Sequence, residues 1–155
     1  MRQDQFSLLF VHHEDNQGSV TALKEFNKSE KKLRGYANFL VIGCHNEEFQ
    51  NEATPFCLNE PDSDTFPLIS GFVPPTTRFN PYTKKIEENK EISFANRPKT
   101  EKAMSKFVTT NIPNFVNPIA KGKEYDSQIK SNKKINKIVL FSEKSTVPVL
   151  FKALA

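Results

Sequence analysis

The chain has 155 residues, a formal net charge of +4, 14 phenylalanines and two cysteines. That length allows one ordinary domain, or one small domain and part of another, and the phenylalanines suffice for a packed core. No run approaches the roughly 18 apolar residues that would suggest a membrane span, and "MRQDQFSLLF" lacks the long apolar stretch and cleavage site of a signal peptide.

The first predicted element is "QFSLLFVH" (5–12), a short apolar run bounded by polar residues, which reads as a buried strand. A helix follows from about Gly18 to Arg34, with Val20, Leu23, Phe26 and Leu33 on one broad face and Lys and Glu on the other. Gly35 stands where a C-cap glycine belongs. "YANFLVIGC" (36–44) is a second continuous apolar strand. Strand, helix and strand in this length make a βαβ unit with parallel strands, and strands buried on both faces read as unbroken apolar runs.

Residues 45–64 are polar and proline-punctuated, with room for a short helix over Glu48 to Ala53. "TFPLISGF" (65–72) reads as a third strand with Pro67 near its start, where a proline must lie at an end or edge. Residues 73–90 form a long loop whose three prolines disfavour regular structure in its first half. "EISFAN" (91–96) returns as a fourth strand. "RPKTEKAMSKFVTTN" (97–111) is an amphipathic helix with Ala103, Met104, Phe107 and Val108 inward.

After Pro113 the pattern restarts. "NFVNPI" is short and extended, "KEYDSQIKSN" a weak helix and "NKIVLFSE" (136–143) a buried strand. "STVPVLFKALA" opens a helix with Ser145 or Thr146 as N-cap and Pro148 in the first turn. A strand and helix without a closing hairpin are half a domain, so we expect the natural chain to continue. Residues 1–110 hold 14 Lys/Arg and 15 Asp/Glu, whereas residues 111–155 hold 8 and 3, so the tail carries the positive charge. A solvated surface accounts for it. With no nucleic-acid-binding motif present, a nucleic-acid partner is not expected.

"FVHHEDNQGS" (10–19) ends the first strand in metal-ligating residue types: His12, His13, Glu14 and Asp15, with Cys44 and His45 at the end of the neighbouring strand. Successive strand residues point to opposite faces, so His12 and His13 do not readily share an ion. Neither H-x-x-x-H nor C-x-x-C occurs. We read the histidines as solvated, Asp15 or Asn16 as a helix N-cap, and expect no metal and no cofactor. Cys44 and Cys57 permit one disulfide, two free thiols or a reactive pair. Asn27-Lys28-Ser29 is a glycosylation sequon inside a predicted helix.

The order β-α-β, β-β, α resembles the thioredoxin fold, in its protein disulfide isomerase branch. "FVHHEDNQG" lies in register with that family's "FYAPWCGHC": Phe10 matches its Phe, and Asp15 and Gly18 fall on its two cysteines. "DTFPLISGF" is similar to its "gfPTlklF", which makes Pro67 the cis-proline. "FANRPKTEKAMSKFV" resembles its segment around a final helix, through Phe94, Arg97, Thr100, Ala103, Met104, Phe107 and Val108. "IGC…FCLN" resembles a cysteine pair between the second strand and the cis-proline, with a longer gap of twelve residues. These matches cover about residues 6–110; the usual first strand and helix of the family are missing or cut away.

The resemblance implies an α/β, thioredoxin-like domain over residues 1–111, a central mixed sheet with flanking helices. Residues 112–155 would be a linker and the first part of a second such domain. Thiol–disulfide exchange needs a thiolate and a resolving thiol, so Asp15 and Gly18 mark a degenerate redox site. A structural Cys44–Cys57 disulfide is the expected use of the cysteines. Phe66, Phe72, Phe79 and Tyr82 are candidates for an apolar patch near Pro67, the edge that receives polypeptide in the family. The expected function is a redox-inactive module that binds polypeptide or scaffolds a protein partner, without a membrane span. The resemblance implies the endoplasmic reticulum lumen or another secretory compartment. The alternatives are thiol chemistry, at Cys44 and Cys57 or at a Cys-x-x-Cys outside this chain, and a structural subunit of a larger assembly.

Overall fold

The structure, a computed structural model, describes residues 5–44, 56–57, 66–75, 79–80, 82, 84–86, 88–119, 122–130 and 137–154. The described elements are β1 (Ser7–His12), α1 (Gln17–Lys32), β2 (Asn38–Gly43), β3 (Leu68–Val73), β4 (Phe79–Asn80), β5 (Lys85–Ile86), β6 (Lys90–Ser93), α2 (Glu101–Asn111), α3 (Gly122–Tyr125) and α4 (Val149–Leu154). The main sheet has the order β2-β1-β3-β6. β2 runs parallel to β1, whereas β3 is antiparallel to both β1 and β6. The short β4–β5 hairpin occupies the segment expected to be an irregular loop, where Phe79 pairs with Ile86. The expected helix at Glu48 to Ala53 lies outside the described residues.

β1 is the central strand, and its side chains alternate between two apolar clusters. Phe6, Leu8 and Phe10 join Ala22, Phe26 and Leu33 of the α1 region and Met104, Phe107 and Val108 of α2. Leu9 and Val11 point the other way and meet Phe66. Burial on both sides explains why "LLFV" is unbroken rather than alternating. The first cluster is an aromatic lattice. Phe10 and Phe26 have centroids 5.0 Å apart, Phe26 and Phe39 5.4 Å, and Phe94 and Phe107 5.1 Å. Gly71 belongs to this lattice: a Cβ there would lie 2.6 Å from Phe6 Cζ and 2.8 Å from Phe107 Cε1.

α1 starts one residue before the expected Gly18 and stops two before Arg34, and Gly35 follows with φ +85°. In that left-handed region a Cβ is disfavoured. Its inward face differs from the expected one. Val20 is 46% exposed, and the buried stripe is Ser19, Ala22, Phe26 and Ser29, continued by Leu33. The reason is α2. Ser29 Oγ donates to the carbonyls of Glu25 and Glu101, both at 3.2 Å, so small residues are needed where the two helices approach. The Glu25 carboxylate accepts from Lys28 Nζ at 2.6 Å and from the Glu101 backbone N–H at 3.0 Å, which caps α2 from outside. Thr100 caps it from within, its Oγ1 accepting from Ala103 N at 3.4 Å. Glu101 then accepts from Lys32 Nζ at 2.7 Å and Ser105 Oγ at 2.9 Å. The hydrogen bond from Lys28 holds Glu25 below the usual carboxylate range, and that from Lys32 does the same for Glu101. The sequon falls in this contact: Asn27 is exposed, but the Ser29 hydroxyl is buried between helices.

The tail departs further from expectation. Residues 123–130 are helical, as a turn of α3 that continues into a π-helical segment, Asp126–Lys130. Residues 136–143 were expected to be a buried strand; those described, 137–143, form no strand, and Ile138 is 75% exposed and Phe141 83%. A strand is stable only where a neighbouring strand takes its backbone hydrogen bonds, and among the described residues none does so here. α4 begins later than expected. The Pro148 carbonyl accepts from Phe151 N and Lys152 N, so Pro148, not Ser145 or Thr146, sits at the cap. Val149 packs against the first cluster.

Candidate functional site

The parallel pairing of β1 and β2 brings His12 opposite Gly43, and Cys44 N donates to the His12 carbonyl at 3.0 Å. Both strands therefore end at one edge of the sheet, where α1 begins. The chain turns there within four residues, because Asn16 N donates to the His13 carbonyl at 3.1 Å. Asp15 is an exposed residue of this turn. Of the two candidates for the N-cap the structure selects Asn16: its Oδ1 accepts from Ser19 N at 2.8 Å. Gly18 lies in the first turn of α1, where a Cβ would stand 3.2 Å from that same Oδ1. Asn16 thus supplies a polar partner to the helix N-terminus, the environment that in a redox site would stabilise a thiolate.

The two histidines separate as strand geometry requires. His12 faces Phe10 at 6.0 Å between centroids, on the side of the first cluster, and His13 meets the Phe66 ring at 6.0 Å on the other. Neither is freely solvated, contrary to expectation: His13 is 6% exposed and His12 half-buried. The turn tucks them inward because their rings complete the ends of the aromatic rows. Burial lowers the pKa of His12, with Glu14 opposing and His13 adding to the shift. His13 Nδ1 lies 3.7 Å from Asp15 Oδ2. Among the described residues no three His, Cys, Asp or Glu side chains are grouped to hold a metal. Cys44, a ligand candidate, is bonded to Cys57, and His45 lies outside the described residues.

Pro67 arrives at the same edge. It precedes Leu68, which pairs with Val11 near the end of β1, and the Phe66–Pro67 peptide bond is cis. Lys99 Nζ donates to the Phe66 carbonyl at 3.4 Å, which ties the approach to α2 to this corner. Nothing in the sequence signals that contact, because the two residues are 33 apart. The Cys44–Cys57 disulfide is the third component, with Cα atoms 5.4 Å apart. Both cysteines and Phe56 pack against Leu9, Val11 and Phe66. The proposed aromatic patch divides. Phe66 is buried in the second cluster, Phe72 packs against it, and Tyr82 is 95% exposed. The side chain of Phe79 is outside the described residues.

Phe94, Arg97 and Phe107 also come together, but as core. The Arg97 guanidinium lies 5.1 Å from the Phe107 ring centroid and 6.0 Å from that of Phe94. Phe107 in turn meets Phe6, where the chain enters β1, at the end away from His12. These residues hold α2 on the sheet and stand apart from the corner formed by Asp15, Gly18, Pro67 and the bridge.

No family model and no curated protein matches the chain. Solved structures do. ERdj5 in its crystal form II aligns with a TM-score of 0.56 at 10% identity, covering 81% of this chain and 14% of that one. Form I aligns at 0.54 and 9% identity, covering 82% and 15%. Full-length ERdj5 aligns at 0.54 and 10%, covering 82% and 16%. The chain thus spans less than one fifth of the length of these structures. At such identities the likeness concerns the fold, and together with the mixed sheet and flanking helices it establishes that this chain has a thioredoxin-like, α/β fold. No helix among the described residues is long and apolar enough to cross a membrane.

Proposed function

We propose that this chain is a redox-inactive module of a protein disulfide isomerase-like protein, one that binds polypeptide or scaffolds a protein partner. The observation that carries the reading is the entry to α1. Exchange needs an attacking thiolate and a resolving thiol, and at the two positions where the resemblance puts them stand Asp15, exposed, and Gly18, beneath the Asn16 cap. The chain's two cysteine sulfurs are bonded to each other. Pro67, just before β3 and beside the end of β1, offers the edge for an extended polypeptide. The bridge suits an oxidising compartment, and with the resemblance it supports a secretory lumen such as the endoplasmic reticulum. Neither a cofactor nor nucleic acid enters this reading.

Residues 1–111 form the module in this reading, and residues 112–155 are a linker and the opening of a second one. The exposed apolar run Ile138 to Phe141 supports that division, since it is the surface a further sheet would cover.

A second reading, thiol exchange at Cys44 and Cys57, is favoured by one observation: both residues are only partly buried. Insulin reduction by the 155-residue chain with a dithiol separates the two. The expected result is no acceleration over the dithiol alone. Acceleration that disappears in Cys57→Ser overturns the proposal in favour of exchange. Purification with fixed, stoichiometric partners, and no transient binding of unfolded polypeptide, would point instead to a structural subunit.

A further inference from the structure

We infer that Asn27 is an N-glycosylation site that folding closes: it accepts a glycan while the chain is unfolded, and no longer does so once α1 has docked on α2. Asn27-Lys28-Ser29 is the one Asn-x-Ser/Thr sequence in the chain, and its middle residue is not proline. The asparagine is exposed, as are Lys24 and Lys31 about one turn to either side, so a glycan there has room and displaces no core residue. The serine is the opposite case. Ser29 is 0% exposed, and its Oγ lies 3.2 Å from the carbonyl oxygens of both Glu25 and Glu101. Helix geometry explains the split: at about 100° per residue, positions two apart lie about 200° apart around the axis. Asn27 and Ser29 therefore face opposite sides of α1, one toward solvent and one toward α2. The acceptor signal includes the hydroxyl as well as the asparagine, and the docked helix cannot offer the two together.

The element that closes the site arrives late. Glu101 lies 72 residues beyond Ser29. A chain made N-terminus first at about 5–20 residues per second leaves roughly 4–14 s in which Ser29 has no α2 to meet. α1 does not close the site alone: it has 16 residues with a single alanine, and a helix of that kind owes its stability to tertiary packing. Once α2 docks, further contacts hold the closure. The Glu25 carboxylate accepts from the Glu101 N–H at 3.0 Å, and Lys32 Nζ donates to Glu101 at 2.7 Å. The reaction is transfer of an oligosaccharide from a lipid pyrophosphate carrier. The Asn27 amide nitrogen bonds to the anomeric carbon of the sugar, and the bond from that carbon to the carrier's phosphate oxygen breaks. The nitrogen gives up one proton and the lipid pyrophosphate leaves, with no change of oxidation state. The product carries its glycan on the solvent side of α1, opposite Ser29, and records that modification preceded folding. The inference rests on the secretory compartment proposed above and goes beyond the binding role.

The test is translation of the whole chain behind a cleavable signal sequence in the presence of microsomes. The expected result is one mobility shift, removed by an endoglycosidase and absent in Asn27→Gln, a substitution at an exposed position. An unshifted chain whose signal has been cleaved overturns the inference, and so does a shift that persists in Asn27→Gln. The closure is tested on the folded, unmodified chain made in bacteria, supplied with solubilised oligosaccharyltransferase and the lipid-linked donor. It should be modified several-fold less than Phe107→Ala, which loosens the packing of α2 on the sheet. Equal modification of the two would show that docking does not close the site and overturn that half of the inference. Signal cleavage reports delivery to the lumen, whereas fractionation of the natural protein reports its compartment. The glycosylation site and the secretory reading can therefore fail separately.

Discussion

The two faces of the central sheet are built from the same strand by different rules. Toward α1 and α2, β1 presents Phe6, Leu8 and Phe10 to a lattice of rings closed by two capped helices. On the opposite face it presents Leu9 and Val11 to a small cluster whose cover includes a disulfide. The first face relies on apolar area and complementary shape, which no single contact dominates. Among the described residues the second has fewer apolar side chains and uses a covalent tie. The difference teaches how one strand can be held by packed helices on one side and in part by a disulfide on the other.

The largest effect should come from the helical face. Phe107→Ala removes the edge contacts with Phe6 and Phe94 and the support under Arg97. It is expected to cost about 3–5 kcal/mol in urea unfolding. A smaller loss than that of the bridge variant would reverse the ranking of the faces. Opening the bridge, by the double serine variant, should cost about 3 kcal/mol, as for a closed loop of similar length. Calorimetry of both forms measures it, and an unchanged melting temperature would leave the second face without its supposed tie. Gly71→Ala tests how tightly the lattice is packed. The added methyl meets Phe6 and Phe107 below ordinary contact distance, and overpacking of this kind costs about 1–3 kcal/mol. Equal stability of the variant would show that the rings can yield.

Two smaller effects sharpen the comparison at the helix ends. Asn16→Ala deletes the cap of α1 and should cost about 1 kcal/mol, measured by denaturant midpoint. Asp15→Ala, one residue earlier, should cost less, because Asp15 is not the cap. The smallest effect is acid sensitivity of the α1–α2 contact. Glu25 and Glu101 are held below their ordinary pKa by lysine hydrogen bonds. Their contribution is therefore fully present above the unfolded carboxylate value of about 4.3 and is lost as pH falls through the folded values. The melting-temperature gap between the natural chain and Glu25→Gln should be present at neutral pH and close in acid. A gap independent of pH would mean that the carboxylate charge contributes nothing.

Much of this architecture was legible in the chain. The unbroken run around Leu8 announced a buried strand, Gly35 marked the end of a helix, and the stripe of Met104, Phe107 and Val108 faces inward as spaced; the run around Leu40 is also a strand, but it lies at the end of the sheet order and is not buried, with Val41 47% exposed. Asp15, Gly18 and Pro67 were singled out by the family resemblance, and the parallel pairing of β1 and β2 puts the start of α1 at the edge where Pro67 also lies. Less legible were the features that depend on distant partners. Val20 was expected inside, but it is 46% exposed and Ser19, Ala22 and Ser29 are buried instead, Ser29 against the Glu101 carbonyl of α2. His13 was expected in water, but Phe66 lies against it. The run from Ile138 to Phe141 has the composition of a strand, yet composition alone cannot provide the neighbour that would pair with it.

The division has a physical origin. Local sequence determined what short-range forces govern: the unbroken apolar strand runs, the helical patterning, a polar cap at residue 15 or 16, and the left-handed glycine. Tertiary structure alone decided which residues meet across long separations: Glu25 with the N-terminus of α2, Ser29 with the Glu101 carbonyl, and Lys99 with the Phe66 carbonyl. These contacts depend on how the elements dock in three dimensions, and that docking is set by the packing of the whole core, beyond the reach of any single stretch of sequence.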